Sequence, residues 1–219
     1  MMAFTGDWLK TKQRTVRDNF SENLGLRVHR AISWIKKAES ENDPDGRFIF
    51  LWIAFNACYA EYGSESVNRP ERRKLDTFFQ KISELDAESL IYEAIWEQYS
   101  QPIRLILSNK YVFEPFWSHY NEIEGYDNWE DSFNKAKTSS LIALKEKNTA
   151  HVLKIVFDRL YVLRNQLVHG GSTYAGAVNR AQVHDGASIL GHLVPVFVNI
   201  MMDHPETPWG KPFYPVTDD

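Results

Sequence analysis

The residues best suited to chemistry lie in one short segment, residues 164–169 (Arg-Asn-Gln-Leu-Val-His), directly before Gly170 and Gly171. A guanidinium recognises phosphate through planar, bidentate hydrogen bonds, and an imidazole can take or give a proton near neutral pH. Together these groups are the minimum set for cleaving RNA without a metal. The RNA 2′-hydroxyl would attack its own 3′-phosphate, His169 would move the proton, and Arg164 would stabilise the developing charge.

The segment ends the clearest helical pattern in the chain, residues 149–169. Its apolar stripe has spacings of three and four, and consists of Val152, Val156, Leu160, Leu163 and Leu167. The glycine pair predicts the C-terminal stop. At about 100° per residue, Asn165 and His169 share one face, whereas Arg164 lies about 140° from His169. The long arginine side chain must therefore bend to reach the same cleft.

The same residues also have a purely structural interpretation. Arginine and histidine near a helix end commonly cap the last carbonyl groups or join a salt bridge. Arg159, five residues before Arg164, either widens a phosphate groove or forms a salt bridge. We include Arg159 and Gln166 as candidate substrate-binding residues.

Helical patterns occupy most of the remaining chain, and no segment alternates as a strand with hairpin turns does. Residues 47–62 are apolar on almost every face, which is typical of a central helix. Residues 111–120 form a loop or a helical turn. The other predicted helices are 22–40, one beginning at 69, 88–99 with a stop or kink at Pro102, 131–147 and 179–202.

The expected fold is an all-α helical bundle in a single domain, residues 1–219, with its core over about 22–202. Residues 203–219 contain four of the nine prolines. This tail should be extended, with Trp209, Phe213 and Tyr214 held against the body.

Composition excludes several classes of site. The single cysteine, Cys58, permits neither a disulfide framework nor a thiolate metal cluster and is expected in the core. The chain has no G-x-G-x-x-G motif. Gly171 and Gly176 have the glycine spacing of a phosphate-binding loop, but Ala177 stands where that loop needs lysine. The acidic residues of segment 122–131 read as a solvated loop and helix start. We expect no metal and no cofactor.

Charge and hydropathy bear on location and partners. The net charge of −4 argues against general coating of nucleic acid, although a local basic groove is compatible with it. The N-terminus lacks a secretory signal pattern. The most apolar run, residues 48–60, is too short to cross a bilayer. We expect a cytoplasmic protein that does not enter a membrane.

The segment Leu-Arg-Asn-Gln-Leu-Val-His-Gly-Gly, residues 163–171, resembles the R-x4-6-H signature of HEPN domains, including the asparagine that often follows the arginine. The apolar helix around residues 51–57 fits the same group. The resemblance implies a helical bundle that often dimerises, with the motifs of two subunits facing one cleft. It also implies a metal-independent endoribonuclease in which Arg164 and His169 are catalytic and Asn165 positions the substrate or its neighbours.

Many such domains act in toxin–antitoxin or antiviral systems. The resemblance therefore implies RNA, a second copy of the chain, and an antitoxin or nucleotidyltransferase-type protein as partners. The best-known toxin branch has tyrosine two residues after the histidine, where this chain has Gly171; the nearest tyrosine is Tyr174. Because some members do not cleave RNA, two alternatives stay open: a non-catalytic module that binds RNA, a nucleotide or a protein, and a structural dimer in which the motif caps its helix.

Three further features carry predictions. Asn56 lies inside an apolar helix, so its amide should bond to a neighbouring helix, with a role in the cleft as the alternative. A basic cluster at a helix start is either a solvated face or an RNA-backbone contact. It comprises Arg69, Arg72, Arg73 and Lys74. Phenylalanine and tryptophan residues at helical spacing are interpreted as core rather than base-stacking surfaces.

Overall fold

The computed structural model describes residues 4–61, 70–177 and 179–214, with the side chains of residues 70–73 outside the description. Over these ranges the chain is helical, and the extended structure consists of one isolated bridge between Glu61 and Pro212. The α-helices are α1 Gly6–Val16, α2 Glu22–Glu39, α3 Pro44–Tyr59, α4 Pro70–Glu84, α5 Leu90–Glu93, α6 Ser100–Leu107, α7 Glu114–Tyr120, α8 Trp129–Lys145, α9 Thr149–Val168 and α10 Arg180–Asp203. The predicted all-α class is confirmed.

The chain forms two compact units. The first unit contains Met1–Ile91 and Ala187–Asp219, and the second contains Tyr92–Gly186. Helix α10 begins in the second unit and continues in the first. The motif at residues 164–169 belongs wholly to the second unit.

Helix α3 is the centre of the first unit, as its all-round apolarity predicted. Asp43 caps its first turn by accepting a hydrogen bond from the Gly46 N–H at 2.8 Å. Phe55 is fully buried and its ring lies 5.9 Å from that of Phe79 and 6.2 Å from that of Phe197. Cys58 is also buried, which raises the pKa of its thiol to about 12. Aromatic packing around α3 therefore holds α4 and α10 in place.

Helix α1 was not predicted, and the core extends beyond its expected start at residue 22. Leu9 is fully buried, and Thr5 caps the helix by accepting from the Trp8 N–H at 3.2 Å. Glu39 accepts a hydrogen bond from the Gly6 N–H at 2.8 Å, which ties α1 to the end of α2. Because α1 has few apolar residues, its sequence shows no stripe for a periodicity argument to detect.

The second unit contains a π-helical turn, Ala94–Gln98, between α5 and α6. Pro102 lies in the first turn of α6, where proline is tolerated, so it does not end the helix. Residues 111–120 include the end of a 3-10 turn, Lys110–Val112, and the whole of α7. This confirms the helical alternative for that aromatic segment.

The C-terminal tail is held against the first unit at Trp209 and at the backbone of Tyr214, whose carbonyl accepts from Arg30 Nη1 at 2.5 Å. Trp209 is buried, its indole N–H donates to the His204 carbonyl at 2.9 Å, and Lys81 donates to the Pro208 carbonyl at 2.6 Å. Phe213 and Tyr214 are 43% and 73% exposed. The predicted contact with the body is confirmed for Trp209, and at Tyr214 the backbone carbonyl makes the contact while the ring is exposed.

Helix α10 is, among the described helices, long and apolar enough by composition to cross a membrane. However, 78% of its most apolar window is buried inside the protein. Buried core helices share this composition.

Candidate functional site

Helix α9 carries the motif and is fixed along its length by the core of the second unit. Asn148 caps it by accepting from the His151 N–H at 3.1 Å. The predicted stripe is buried at Val152, Val156, Leu160 and Leu163, whereas Leu167 is only partly buried. Helix α9 has 20 residues and is about 30 Å long. Because its buried stripe packs along most of this length, the position of its last turn is fixed.

The last turn of α9 ends as the glycine pair predicted. His169 is the C-terminal cap, and its backbone N–H donates to the Asn165 carbonyl at 2.9 Å. Gly170 has φ +69°, a conformation that strains any residue with a Cβ atom. The Gly171 N–H then donates to the Gln166 carbonyl at 2.8 Å. The chain leaves the helix sharply, and the His169 side chain is exposed.

A hydrogen bond joins the two neighbouring polar residues of the motif. Arg164 Nη1 donates to Asn165 Oδ1 at 2.9 Å, and the contact is partly buried. Asn165 is also the residue whose carbonyl accepts the His169 N–H. The guanidinium is therefore bent from its own position on the helix towards the face that Asn165 and His169 share.

The bond to Asn165 occupies only part of the Arg164 guanidinium. A guanidinium carries five N–H donors, so the bond to Asn165 leaves Arg164 with donors for phosphate oxygens. The exposed imidazole of His169 follows one turn after Asn165. The side chains of Arg164 and Asn165 are joined directly, and the backbone of His169 is bonded to that of Asn165 one turn earlier.

Gln166 has a different environment from its neighbours. Its Nε2 donates to the Tyr111 carbonyl at 2.6 Å, and its Oε1 accepts from Asn179 Nδ2 at 2.8 Å. Asn109 Nδ2 donates in turn to Asn179 Oδ1 at 3.5 Å. Both ends of the Gln166 amide are engaged within the protein, so the residue anchors two loops to the motif turn. A substrate-binding role would require these bonds to be broken.

Sequence reasoning did not find Asn109, Tyr111 and Asn179. Tyr111 is 55 residues from Gln166 and Asn179 is 13 residues from it. A periodic pattern reports which face of one helix is buried, and carries no information about which distant loop meets that helix. Only the positive φ of Asn179, +57°, matches a local tendency, because asparagine adopts this conformation more readily than most residues.

Arg159 is buried rather than placed at the surface. It is 4% exposed, and its guanidinium lies 4.3 Å from the centroid of the Phe113 ring and 5.6 Å from that of Phe133. Burial lowers the pKa of Arg159 to about 10, with Asp158 opposing the change. This environment supports the structural alternative for Arg159, with aromatic rings in the place of the expected salt bridge.

The remaining candidates lie in the first unit. Asn56 is on α3 and partly buried. Of the basic cluster, Arg69 and the side chains of Arg72 and Arg73 lie outside the described residues, while Lys74 donates to the Glu61 carbonyl at 2.8 Å. Within the described residues, no group of three or more histidine, cysteine, aspartate or glutamate side chains is placed to hold a metal ion.

Comparison of the chain with protein-family models, with curated proteins and with solved structures finds no match. Membership of the HEPN group consequently depends on the motif residues and their geometry, and belongs with the proposals below.

Proposed function

We propose that the protein is a metal-independent endoribonuclease of HEPN type, with Arg164 and His169 as catalytic residues and Asn165 as the residue that positions them. The observation that carries this proposal is the 2.9 Å bond from Arg164 Nη1 to Asn165 Oδ1. It bends the guanidinium towards the face of the exposed His169, which is what phosphate binding beside a proton-transfer group requires.

In the proposed reaction, the His169 imidazole takes the proton of the RNA 2′-hydroxyl. The 2′-oxygen forms a bond to the adjacent phosphorus, and the bond from phosphorus to the 5′-oxygen of the next nucleotide breaks. The leaving oxygen takes a proton from solvent, so the products are a 2′,3′-cyclic phosphate and a 5′-hydroxyl. Arg164 stabilises the charge that develops on the phosphate oxygens.

We further propose that the active form is a cytoplasmic homodimer with a role as a toxin or defence factor, partnered by an antitoxin or nucleotidyltransferase-type protein. The apolar surface at the motif supports the dimer. Val168, beside His169, is 49% exposed and Tyr174 is 77% exposed. A second subunit that covered these side chains would remove apolar surface from water and bring two motifs to one cleft.

The test is cleavage of varied single-stranded RNAs in the presence of a chelator. The expected products carry cyclic-phosphate ends, and both His169→Ala and Arg164→Ala abolish cleavage. His151→Ala is the matched control, because His151 is an exposed histidine near the start of the same helix and should leave activity unchanged. Growth inhibition on expression, relieved by either motif variant, is a cellular readout. Intact RNA across all substrates, without toxicity, would contradict the proposal.

A non-catalytic binding module is the second candidate, and the engagement of Gln166 with two loops favours it. In that case the motif organises the end of α9, and the protein holds RNA, a nucleotide or another protein without turnover. RNA binding that persists while no product forms would distinguish this function from the enzyme.

A further inference from the structure

A cluster of aromatic side chains in the second unit is only partly buried. Phe116 is 8% exposed and forms its base, whereas Tyr111 and Tyr120 are 42% and 72% exposed. The centroid of the Phe116 ring lies 5.4 Å from that of Tyr111, 5.1 Å from that of Trp117 and 5.9 Å from that of Tyr120. Three rings are therefore held around one buried anchor with part of their surface in water, where large apolar groups commonly mark a binding site.

One hydrogen bond attaches this cluster to the motif, and a second bond to the same carbonyl lies within the cluster. The Tyr111 carbonyl accepts from Gln166 Nε2 at 2.6 Å and from Trp117 Nε1 at 2.8 Å. Gln166 follows Asn165 directly, and Asn165 accepts the Arg164 side chain. The backbone of Tyr111 is thus fixed to the turn that carries Arg164 and His169, and the Trp117 ring is fixed to the same carbonyl.

Lys110 lies against the cluster and acidic residues follow Tyr120 in the sequence, so charges of both signs border it. Lys110 Nζ lies 5.3 Å from the centroid of the Tyr111 ring and 5.4 Å from that of Phe116. Beyond Tyr120, the exposed segment 121–128 contains Glu122, Glu124 and Asp127. A phosphate chain is attracted near Lys110 and Arg164 and repelled by these carboxylates.

We propose that Tyr111 and Trp117 form a stacking surface for one unpaired base of single-stranded RNA, next to the phosphate bound at Arg164. This inference rests on the proposed function, and adds a base-stacking subsite to that site. Every base offers a π-face, so stacking selects an unstacked strand and not a particular sequence. The bases of duplex RNA are already stacked and paired, so they are not available to stack on Tyr111 and Trp117.

The test measures binding separately from cleavage. In a His169→Ala background, fluorescence anisotropy with a fluorescein-labelled 12-nucleotide RNA reports binding at fixed salt, because phosphate contacts depend on ionic strength. Tyr111→Leu removes the ring and keeps the backbone carbonyl, and should weaken binding about five- to tenfold. Tyr111→Phe should restore it. Tyr214→Leu is the control, since Tyr214 is 73% exposed in the first unit.

A second variant addresses the indole. Trp117→Phe keeps an aromatic face and removes the N–H that donates to Tyr111, whereas Trp117→Leu removes both. Binding should fall further for the leucine variant than for the phenylalanine variant. Circular dichroism at the assay temperature confirms that each variant is folded, and the same RNA in a duplex should bind more weakly than the single strand.

The outcomes separate this inference from the proposed function. If Tyr111→Leu leaves RNA affinity unchanged while cleavage depends on His169, the stacking surface is overturned and the enzyme stands. If binding depends on Tyr111 but no RNA is cleaved, the surface stands and the enzyme does not. Tyr111-dependent binding of a labelled lysine- and arginine-rich peptide, with no RNA binding, would assign the surface to a protein partner and overturn the inference.

Discussion

Asn165 holds two parts of the motif at once, because its side chain accepts the Arg164 guanidinium and its backbone carbonyl accepts the His169 N–H. Asn165→Ala removes only the first of these bonds. Arg164 is then expected to sample many rotamers, and kcat/KM for RNA should fall about 10- to 100-fold. Asn134→Ala, an exposed asparagine on α8, is the control. Full activity in Asn165→Ala would show that the bond does not position Arg164.

Gly170 provides a second residue-scale prediction, about the stop of α9. A Cβ atom there would meet nothing within 4 Å, yet φ is +69°. Gly170→Ala should therefore destabilise the fold by about 1 kcal/mol through backbone strain alone. Gly25 lies inside α2 and also has open space around it, so Gly25→Ala should stabilise by about 0.5–1 kcal/mol.

Urea unfolding monitored by tryptophan fluorescence compares the two variants. Opposite signs are expected for the same chemical change. A stabilising Gly170→Ala would mean that the turn relaxes to a conformation without positive φ, and that His169 is not held by the turn described above.

At the scale of elements, two buried arginines illustrate different uses of charge. Arg27 is 1% exposed, and its Nη1 donates to the carbonyls of Ala57 and Cys58 at 3.1 and 3.0 Å, while Nε donates to that of Gly210 at 3.2 Å. Arg27 thus provides donors for the last carbonyl groups of α3 and links the C-terminal tail to that end of the helix. Arg159, in contrast, packs against aromatic rings.

The same substitution should separate these roles. Arg27→Met leaves buried carbonyls without donors and should cost about 3 kcal/mol of unfolding free energy. Arg159→Met keeps an apolar stem against Phe113 and removes a buried charge, so its effect should stay within about 1 kcal/mol. Chemical denaturation measures both. A large loss of stability in Arg159→Met, or of RNA cleavage in a folded Arg159→Met protein, would contradict the packing role.

The type and the approximate bounds of α2 and α9 were predictable from their apolar patterns. Helix α2 ends one residue before its predicted end, and α9 spans Thr149–Val168 against the predicted 149–169. Burial of one face or all faces imposes these patterns directly on the sequence. Helix α1 and the π-helical turn lack such a signature, because contacts with other elements stabilise them.

At the scale of the whole molecule, the candidate site was predictable only in part. The helix that carries Arg164, Asn165 and His169 and the glycine stop after it were predictable, because both follow from local sequence. The attachment of Gln166 to Tyr111 and Asn179 depends on how loops of the second unit close on α9. The exposure of the Tyr111 and Tyr120 rings follows from the same packing, and the sequence interpretation, which placed phenylalanine and tryptophan residues in the core, did not cover these tyrosines.

Acid sensitivity of the fold is a property of the whole molecule, and His192 on α10 contributes to it. The residue is partly buried, and desolvation lowers the pKa of His192 below its ordinary value of 6.5. The unfolded chain therefore binds a proton at a higher pH than the folded chain does. This contribution to stability is complete above about pH 6.5 and is lost progressively as the pH falls below it.

The corresponding experiment compares urea midpoints at pH 7.5 and 5.5. Carboxylates also begin to titrate towards pH 5.5. The informative quantity is therefore the difference between variants in how far the urea midpoint falls from pH 7.5 to pH 5.5. His192→Gln cannot acquire the unfavourable charge, and its midpoint should fall less on acidification than that of the original protein. His151→Gln replaces an exposed histidine and should retain the original pH dependence. An equal fall in the midpoints of His192→Gln and the unmodified chain would show that protonation of this imidazole is not coupled to unfolding.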